Sequence, residues 1–174
     1  MGDRILKQII VLIALLQSVL MAQNLDLALS MDVGESKDGI DIYRVGIQKE
    51  FDTTFYENET LYISGYHELS LNYWEKNSAN IAAIAYSPVF TLNFITSSEY
   101  TPYIEAGVGV AALSNKKIDS RDLSSTLQFE DRFGVGLKRA NFDFHIRYMH
   151  YSTGGFKKPN DGIDIFLAGF AYNF

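Results

Sequence analysis

The sequence predicts an all-β protein, an eight-stranded antiparallel transmembrane β-barrel of the outer membrane. Two observations lead to this fold class. After Gln23 no segment keeps a 3.6-residue hydrophobic period, and eight stretches instead alternate apolar and polar residues with a period of two. Aromatic residues make up 14% of the chain, as expected for a barrel whose lipid-facing surface carries aromatic girdles. An even number of strands also suits a closed antiparallel barrel.

The alternating stretches set the predicted strands. They cover residues 25–34, 40–51, 60–74, 79–95, 101–113, 124–138, 141–152 and 162–174. In the first of them, one face carries Leu25, Leu27, Leu29, Met31 and Val33, and the other carries Asp26, Ala28, Ser30, Asp32 and Gly34. Strands of ten or more residues, with small and acidic residues on the crowded face, predict a narrow barrel whose interior is filled by side chains.

A soluble, lipocalin-like barrel is the alternative, and it would place the apolar face inside. The charged residues argue against that arrangement, because charges of both signs are predicted to share one face and to form an interior polar network. These residues are Asp26, Asp32, Arg44, Glu50, Glu105, Glu130, Arg132, Lys138, Asp143 and Arg147. The chain also ends in Phe174, and this aromatic terminus resembles the signal that the barrel assembly machinery reads. The spanning barrel is therefore preferred.

The N-terminus has the pattern of a secretory signal peptide. Arg4 and Lys7 precede an apolar run from Ile9 to Leu16, and the segment SVLMA then ends in a small residue, Ala22, before Gln23. The run is shorter than the roughly 20 apolar residues that a spanning helix needs, although an uncleaved anchor remains the alternative. We predict a signal peptide over residues 1–22 and the barrel over residues 23–174.

Composition excludes several classes of function. The chain has no cysteine, so disulfides, thiolate metal sites and a thiol nucleophile are excluded. Three histidines, His67, His145 and His150, lack the spacing of a zinc site. The formal net charge of −6 argues against nucleic acid as a partner. No metal and no cofactor are expected.

Three polar residues stand on the apolar faces of the last two predicted strands. His150 and Ser152 follow Phe142, Phe144, Ile146 and Tyr148 on one face, and Asp164 begins the face that continues with Phe166 and Phe170. A serine, a histidine and an acid are the nucleophile, the base and the orienting group of acyl-transfer catalysis. The non-catalytic alternative is that all three residues lie at the headgroup boundary and contact water.

The predicted topology decides where this trio lies. If the N-terminus is periplasmic, the connections 35–39, 75–78, 114–123 and 153–161 lie outside the cell. His150, Ser152 and Asp164 would then face the outer leaflet, where a Gram-negative bacterium keeps lipopolysaccharide. Because an unpaired polar group in hydrocarbon costs several kcal/mol, such a cluster is retained mainly where it pairs or functions.

The segment from Arg147 to Asp164, RYMHYSTGGFKKPNDGID, closely resembles the signature of the lipid A 3-O-deacylase (PagL) family. The resemblance implies an eight-stranded outer-membrane esterase in which His150 is the base and Ser152 the nucleophile. The acid that orients the histidine corresponds to Asp164, where a member of the family carries Glu. Asn160 matches a residue linked to the oxyanion hole.

Other residues of this segment receive roles from the same resemblance. The family often has Asn directly after the serine, whereas this chain has Thr153 followed by Gly154 and Gly155, whose backbone N–H groups could complete the oxyanion hole. Lys157 and Lys158 could bind the phosphates of lipid A, and an ordinary solvated charge pair is the equal alternative.

The resemblance thus implies an esterase that hydrolyses the ester bond of the acyl chain at position 3 of lipid A. Lipid A is a component of lipopolysaccharide, and the reaction would take place within the lipid of the outer membrane. Two alternatives stay open. One is a non-catalytic barrel, either structural or an adhesin, which short predicted loops disfavour. The other is a lipid A acyltransferase that uses a similar trio. The sequence leaves open whether the barrel is a monomer or a homodimer.

Overall fold

The structure is a computed structural model that describes residues 26–158 and 162–174. The predicted signal peptide, residues 1–22, lies outside the described residues. In the described part no helix is long and apolar enough to cross a membrane. The strands there are β1 (Leu27–Ser36), β2 (Asp41–Glu50), β3 (Tyr56–Glu57), β4 (Leu61–Lys76), β5 (Ala79–Phe94), β6 (Thr101–Leu113), β7 (Lys117–Ile118), β8 (Arg121–Asp122), β9 (Leu127–Arg139), β10 (Phe142–Ser152) and β11 (Ile163–Asn173).

Eight of these strands close into a barrel, as the sequence predicted. Each pairs antiparallel with its neighbours, and the pairing of β1 with β11 joins the first and the last of these strands. β3 only extends the edge of β4, and β7 pairs with β8 as a separate small hairpin. The connections β1–β2, β4–β5, β6–β9 and β10–β11 all lie at one end of the barrel, which we call the site rim.

The predicted strand bounds agree with the observed ones to within two residues, except at the start of the sixth. That strand begins at Leu127 rather than at 124. Ser124 has a φ of 65° and donates its backbone N–H to Asp122 Oδ1 at 2.8 Å, so a tight turn takes the place of extended chain. The predicted loop 114–123 contains the β7–β8 hairpin, which was not predicted.

The outer surface of the barrel is apolar. Alternate residues of every long strand point outward, and many of them are half exposed, for example Val33 (58%), Leu71 (63%) and Ile146 (61%). A soluble monomer rarely exposes an apolar surface that continues around the whole molecule. This arrangement is that of a transmembrane barrel, and it rejects the lipocalin-like alternative.

Charged side chains fill the middle of the barrel. Seven of the ten residues predicted for the interior network are buried: Asp32, Arg44, Glu105, Glu130, Arg132, Asp143 and Arg147. The other three, Asp26, Glu50 and Lys138, lie near the rim opposite the site and are exposed or only partly buried, which corrects their prediction. Glu68, which the sequence analysis missed, lies 2.6 Å from Arg44.

The network is paired throughout its centre. Arg44 Nη1 lies 2.9 Å from Glu130 Oε2, and Arg147 Nε lies 2.7 Å from Glu105 Oε1. Charges can be buried in this way only when each one has a partner, because an isolated buried charge would lose its hydration without compensation. Paired and buried side chains therefore occupy the middle of the barrel, as predicted for a narrow barrel.

An apolar layer lies between this network and the site rim. Its members include Ile42, Trp74, Ile81, Met149 and Ile165, all nearly inaccessible to solvent. Met149 and Tyr151 belong to this layer and alternate along β10 with His150 and Ser152, which point outward. The layer thus fixes the backbone that carries the predicted site.

Candidate active site

The pairing of β10 with β11 brings two of the three predicted residues into contact. His150 lies directly opposite Asp164 in the register of these strands. The His150 Nδ1 atom is 2.8 Å from Asp164 Oδ1, so the shorter aspartate reaches the imidazole without difficulty. Because an ionised carboxylate only accepts hydrogen bonds, Nδ1 carries the proton and Nε2 is left as the basic nitrogen.

Asp164 has two further partners, and the sequence analysis had identified neither. Tyr148 donates its hydroxyl proton to Asp164 Oδ1 at 2.6 Å, from the same face of β10 as His150. Lys37, in the β1–β2 connection, donates from Nζ to Asp164 Oδ2 at 2.7 Å. This hydrogen bond, together with the charge of the carboxylate, raises the pKa of Lys37 above its ordinary value. No local pattern could have revealed Lys37, because 127 residues separate it from Asp164.

Ser152 lies on the same face of β10, two residues beyond His150. Its side chain is buried (7% exposed) under the turn that follows, and its Oγ accepts a hydrogen bond from the Gly154 N–H at 3.3 Å. In the described part of the chain the Ser152 hydroxyl makes no hydrogen bond to the His150 ring. His150 and Asp164 are therefore hydrogen-bonded to each other, whereas Ser152, among these described residues, lies on the same strand face without a hydrogen bond to the His150 ring. Catalytic hydrogen bonds often form only when substrate is bound.

The backbone between His150 and Ser152 is anchored from inside the barrel. The Tyr151 hydroxyl donates to Glu130 Oε2 at 2.6 Å and accepts from Arg44 Nη1 at 3.1 Å. Its ring packs edge-on against Trp74, with 4.9 Å between the ring centroids. These contacts hold the two outward-pointing neighbours of Tyr151 on a rigid strand, which is what a precise catalytic geometry requires.

Gly162 packs directly against the imidazole. It has a φ of 58°, and a Cβ atom built on it would lie 2.7 Å from His150 Cε1 and 3.0 Å from His150 Nε2. Real carbon atoms in contact are about 3.5–4.0 Å apart. Glycine is therefore required here both by the backbone conformation and by the nearby ring.

The remaining predicted residues lie in the β10–β11 turn. Asn160 lies outside the described residues. Gly154 and Gly155 follow Ser152 with φ values of 61° and 85°, and the Gly154 N–H points at the Ser152 hydroxyl. Lys157 and Lys158 are exposed.

An apolar groove of about 430 Å³ lies beside the serine. Phe129, which lies opposite Ser152 in the β9–β10 pairing, forms one wall, and Phe156 of the turn packs against it with 6.1 Å between ring centroids. The rest of the lining consists of Val110, Ser125, Leu127, Gln128, Thr153 and Lys157. The groove opens on the lipid-facing side and could hold a hydrocarbon chain next to the Ser152 hydroxyl.

A second acid faces the histidine from the other neighbouring strand. Asp131 of β9 lies opposite His150, and it was missed because only Asp164 has a position set by the family signature. Within the described residues, no group of three or more His, Asp or Glu side chains is arranged to hold a metal ion.

A family model and two known proteins that resemble this chain point to the same family. The model of the lipid A 3-O-deacylase (PagL) family matches residues 41–173. The lipid A deacylase PagL of Pseudomonas aeruginosa is 37% identical over 155 residues, which cover 87% of this chain and 89% of that protein. The lipid A deacylase PagL of Bordetella bronchiseptica is 30% identical over 112 residues, or 62% of this chain and 61% of that protein.

Solved structures agree. The crystal structure of the outer membrane enzyme PagL matches with a TM-score of 0.80 and 34% identity, covering 84% of this chain and 99% of that one. Neisserial surface protein A matches with a TM-score of 0.51 and 17% identity, which shows a shared fold alone. The family match extends from the start of β2 to the end of β11, including the His150–Asp164 pair and Ser152. This chain therefore belongs to the lipid A 3-O-deacylase (PagL) family of outer-membrane enzymes.

Proposed function

We propose that this protein hydrolyses the ester-linked acyl chain at position 3 of lipid A, with Ser152 as nucleophile, His150 as base and Asp164 as orienting acid. The observation that carries the proposal is the His150–Asp164 pair, joined at 2.8 Å on an outward-facing, otherwise apolar surface beside a serine. The family to which the chain belongs supports the same substrate.

The proposed reaction has two halves. Ser152 Oγ attacks the ester carbonyl while its proton moves to His150 Nε2, and Asp164 stabilises the imidazolium that forms. The tetrahedral oxyanion accepts hydrogen bonds from the N–H groups of Gly154 and Gly155 and from Asn160. The intermediate then collapses, the bond between the acyl carbon and the sugar oxygen breaks, and His150 gives its proton to that oxygen, which leaves as the sugar hydroxyl. In the second half, His150 takes a proton from water, which attacks the acyl-enzyme, and then returns the proton to Ser152 Oγ as the fatty acid leaves.

The lipid-facing position of the site suits this substrate. The groove lined by Phe129 and Phe156 would hold the acyl chain at the depth of Ser152, so the chain need not leave the membrane. Lys157 and Lys158 lie on the exposed turn next to it, where they would attract lipid A phosphates.

The site is proposed to face the outer leaflet, which requires the site rim to be extracellular. A peptide tag inserted near Lys117, in the β6–β9 connection, should then react with antibody on intact cells. A tag that reacts only after the outer membrane is disrupted would reverse this orientation and with it the proposed access to lipopolysaccharide.

Ser152→Ala and His150→Ala test the mechanism. Each should lower the release of 3-hydroxy fatty acid from lipid A in detergent by about a thousandfold or more, and the double variant should be little worse than either single one. Heat-modifiable gel mobility should persist, because neither side chain belongs to the interior.

His67→Ala is the matched control for His150→Ala. His67 is also an outward-facing histidine, and its Nδ1 atom lies 2.8 Å from the Tyr86 hydroxyl, far from the trio along the chain. It should keep wild-type activity. Full activity in folded Ser152→Ala would disprove the serine mechanism. A wild type that moves the acyl chain to another lipid would be an acyltransferase, and one that neither releases nor transfers it would be a non-catalytic barrel.

A further inference from the structure

Two hydrogen bonds join Lys37 to Asp164. Its Nζ atom lies 2.7 Å from Asp164 Oδ2, and its backbone N–H donates to the Asp164 carbonyl at 3.2 Å. The second bond continues the β1–β11 ladder one step past the pair Ser36 and Ile165. The backbone of Lys37 is thus fixed beside Asp164, and the ammonium group needs little further ordering to reach the carboxylate.

The carboxylate needs such a partner because of where it lies. Asp164 points outward from a lipid-facing strand, and its side chain is 27% exposed. The ionised form of a carboxylate that is partly withdrawn from water is stabilised by an opposite charge and by donated hydrogen bonds, and the Lys37 ammonium group supplies both. A protonated Asp164 could no longer stabilise an imidazolium on His150.

The two carboxylate oxygens divide their partners. Oδ2 receives Lys37, while Oδ1 receives both Tyr148 and His150. Because the ammonium group holds Oδ2, the other carboxylate oxygen, Oδ1, points toward the imidazole. Lys37 therefore both stabilises the charge of the Asp164 carboxylate and fixes its orientation.

We propose that Lys37 is a positioning residue that keeps Asp164 ionised and oriented toward His150, a role that rests on the proposed function of the trio. Lys37 precedes residues 41–173, the part matched by the family model, so nothing in that match assigns it a role. It acts through Asp164 rather than on the substrate.

The proposal predicts a change in pH dependence, so the charged surroundings of His150 matter. The acidic and phenolic groups on the adjoining strands are Tyr148 on β10, Asp131 on β9, Asp164 on β11 and Glu35 on β1. The cations are Lys37 in the β1–β2 connection, Arg121 of β8, and Lys157 and Lys158 in the turn. Arg121 donates a hydrogen bond to the Gly162 carbonyl. Removing the Lys37 cation makes protonation of Asp164 easier, because its Nζ donates directly to Asp164 Oδ2. This effect moves the loss of activity on acidification to higher pH.

The test compares kcat/KM against pH for wild type, Lys37→Met and Lys37→Arg, using purified protein and lipid A in detergent. Lys37→Met should move the acidic limb upward by about half a pH unit to one unit and lower kcat/KM near neutral pH about fivefold. Lys37→Arg keeps the charge and should retain the wild-type limb.

Lys117→Met is the matched control. Lys117 is paired with Asp122 at 3.1 Å, and the side-chain exposures of that pair, 61% and 30%, are close to the 61% and 27% of Lys37 and Asp164. It should leave the pH profile unchanged. All variants must show heat-modifiable mobility, which establishes that the barrel is folded.

An Asp164→Asn background separates this role from direct phosphate binding. If Lys37 acts through the carboxylate, Lys37→Met should cause little further loss there. An equal loss in that background, or an unmoved acidic limb in active Lys37→Met, overturns the proposal. If the latter result accompanies inactive Ser152→Ala, the proposed function stands and only the role of Lys37 fails. A wild type that releases no fatty acid overturns both.

Discussion

Replacing Gly162 with alanine tests whether the imidazole is held in place by the backbone next to it. The added Cβ would lie 2.7 Å from His150 Cε1 and 2.8 Å from the Tyr151 carbonyl oxygen. The carbonyl belongs to the anchored strand and cannot easily move, so the ring or the turn must shift. Gly39→Ala is the matched control. Gly39 also has a positive φ, 71°, but its nearest neighbour, Glu35 Oε1, would lie at 3.4 Å, an ordinary contact.

The two variants share one cost and differ in another. Alanine in the left-handed region costs about 1–2 kcal/mol at either position. Only Gly162→Ala adds the contact with His150, which requires a displacement of about 1 Å to restore normal carbon contacts. A misplacement of about 1 Å can reduce catalysis about a hundredfold, equivalent to about 2.7 kcal/mol.

The assay measures fatty acid release from lipid A and, on the same samples, the temperature at which the folded band disappears from gels. Gly162→Ala should lose about a hundredfold in kcat, and Gly39→Ala less than about threefold. Both should keep the folded band, and Gly162→Ala should lose the more stability because its added Cβ also meets the Tyr151 carbonyl oxygen. Wild-type activity in folded Gly162→Ala, or an equal loss of activity in Gly39→Ala, would refute the reasoning.

Two further outcomes are expected. Asp164→Glu should retain activity, because it keeps a carboxylate opposite His150. Asp164→Ala should lose part of the activity, less than Ser152→Ala does, because the orienting acid usually contributes less than the nucleophile. Wild-type turnover by Asp164→Ala at saturating substrate would leave a Ser–His dyad. Tyr151→Phe should lower the free energy of unfolding of the barrel by about 1–3 kcal/mol, because Glu130 and Arg44 each lose a buried hydrogen-bond partner. An unchanged urea midpoint for the loss of the folded band would contradict this expectation.

Much of the fold could be predicted from the sequence because strand alternation is a local property. The period of two in residues 141–152 and 162–174 reports which side chains meet lipid and which meet the interior. It placed His150, Ser152 and Asp164 on the outer face, and the structure agrees for all three strand positions. The start of β9 was predicted wrongly because the positive φ of Ser124 leaves no such periodic signal.

Sequence alone determined the eight strands, their faces and the two strands that carry the trio, since each follows from residues a few positions apart. Only the tertiary structure decided the partners. Closure of the barrel by β1 and β11 brings Lys37 to Asp164, and the register of β9 and β10 brings Asp131 opposite His150. The physical reason is that contacts between residues distant in the chain depend on register and closure, which are properties of the whole sheet.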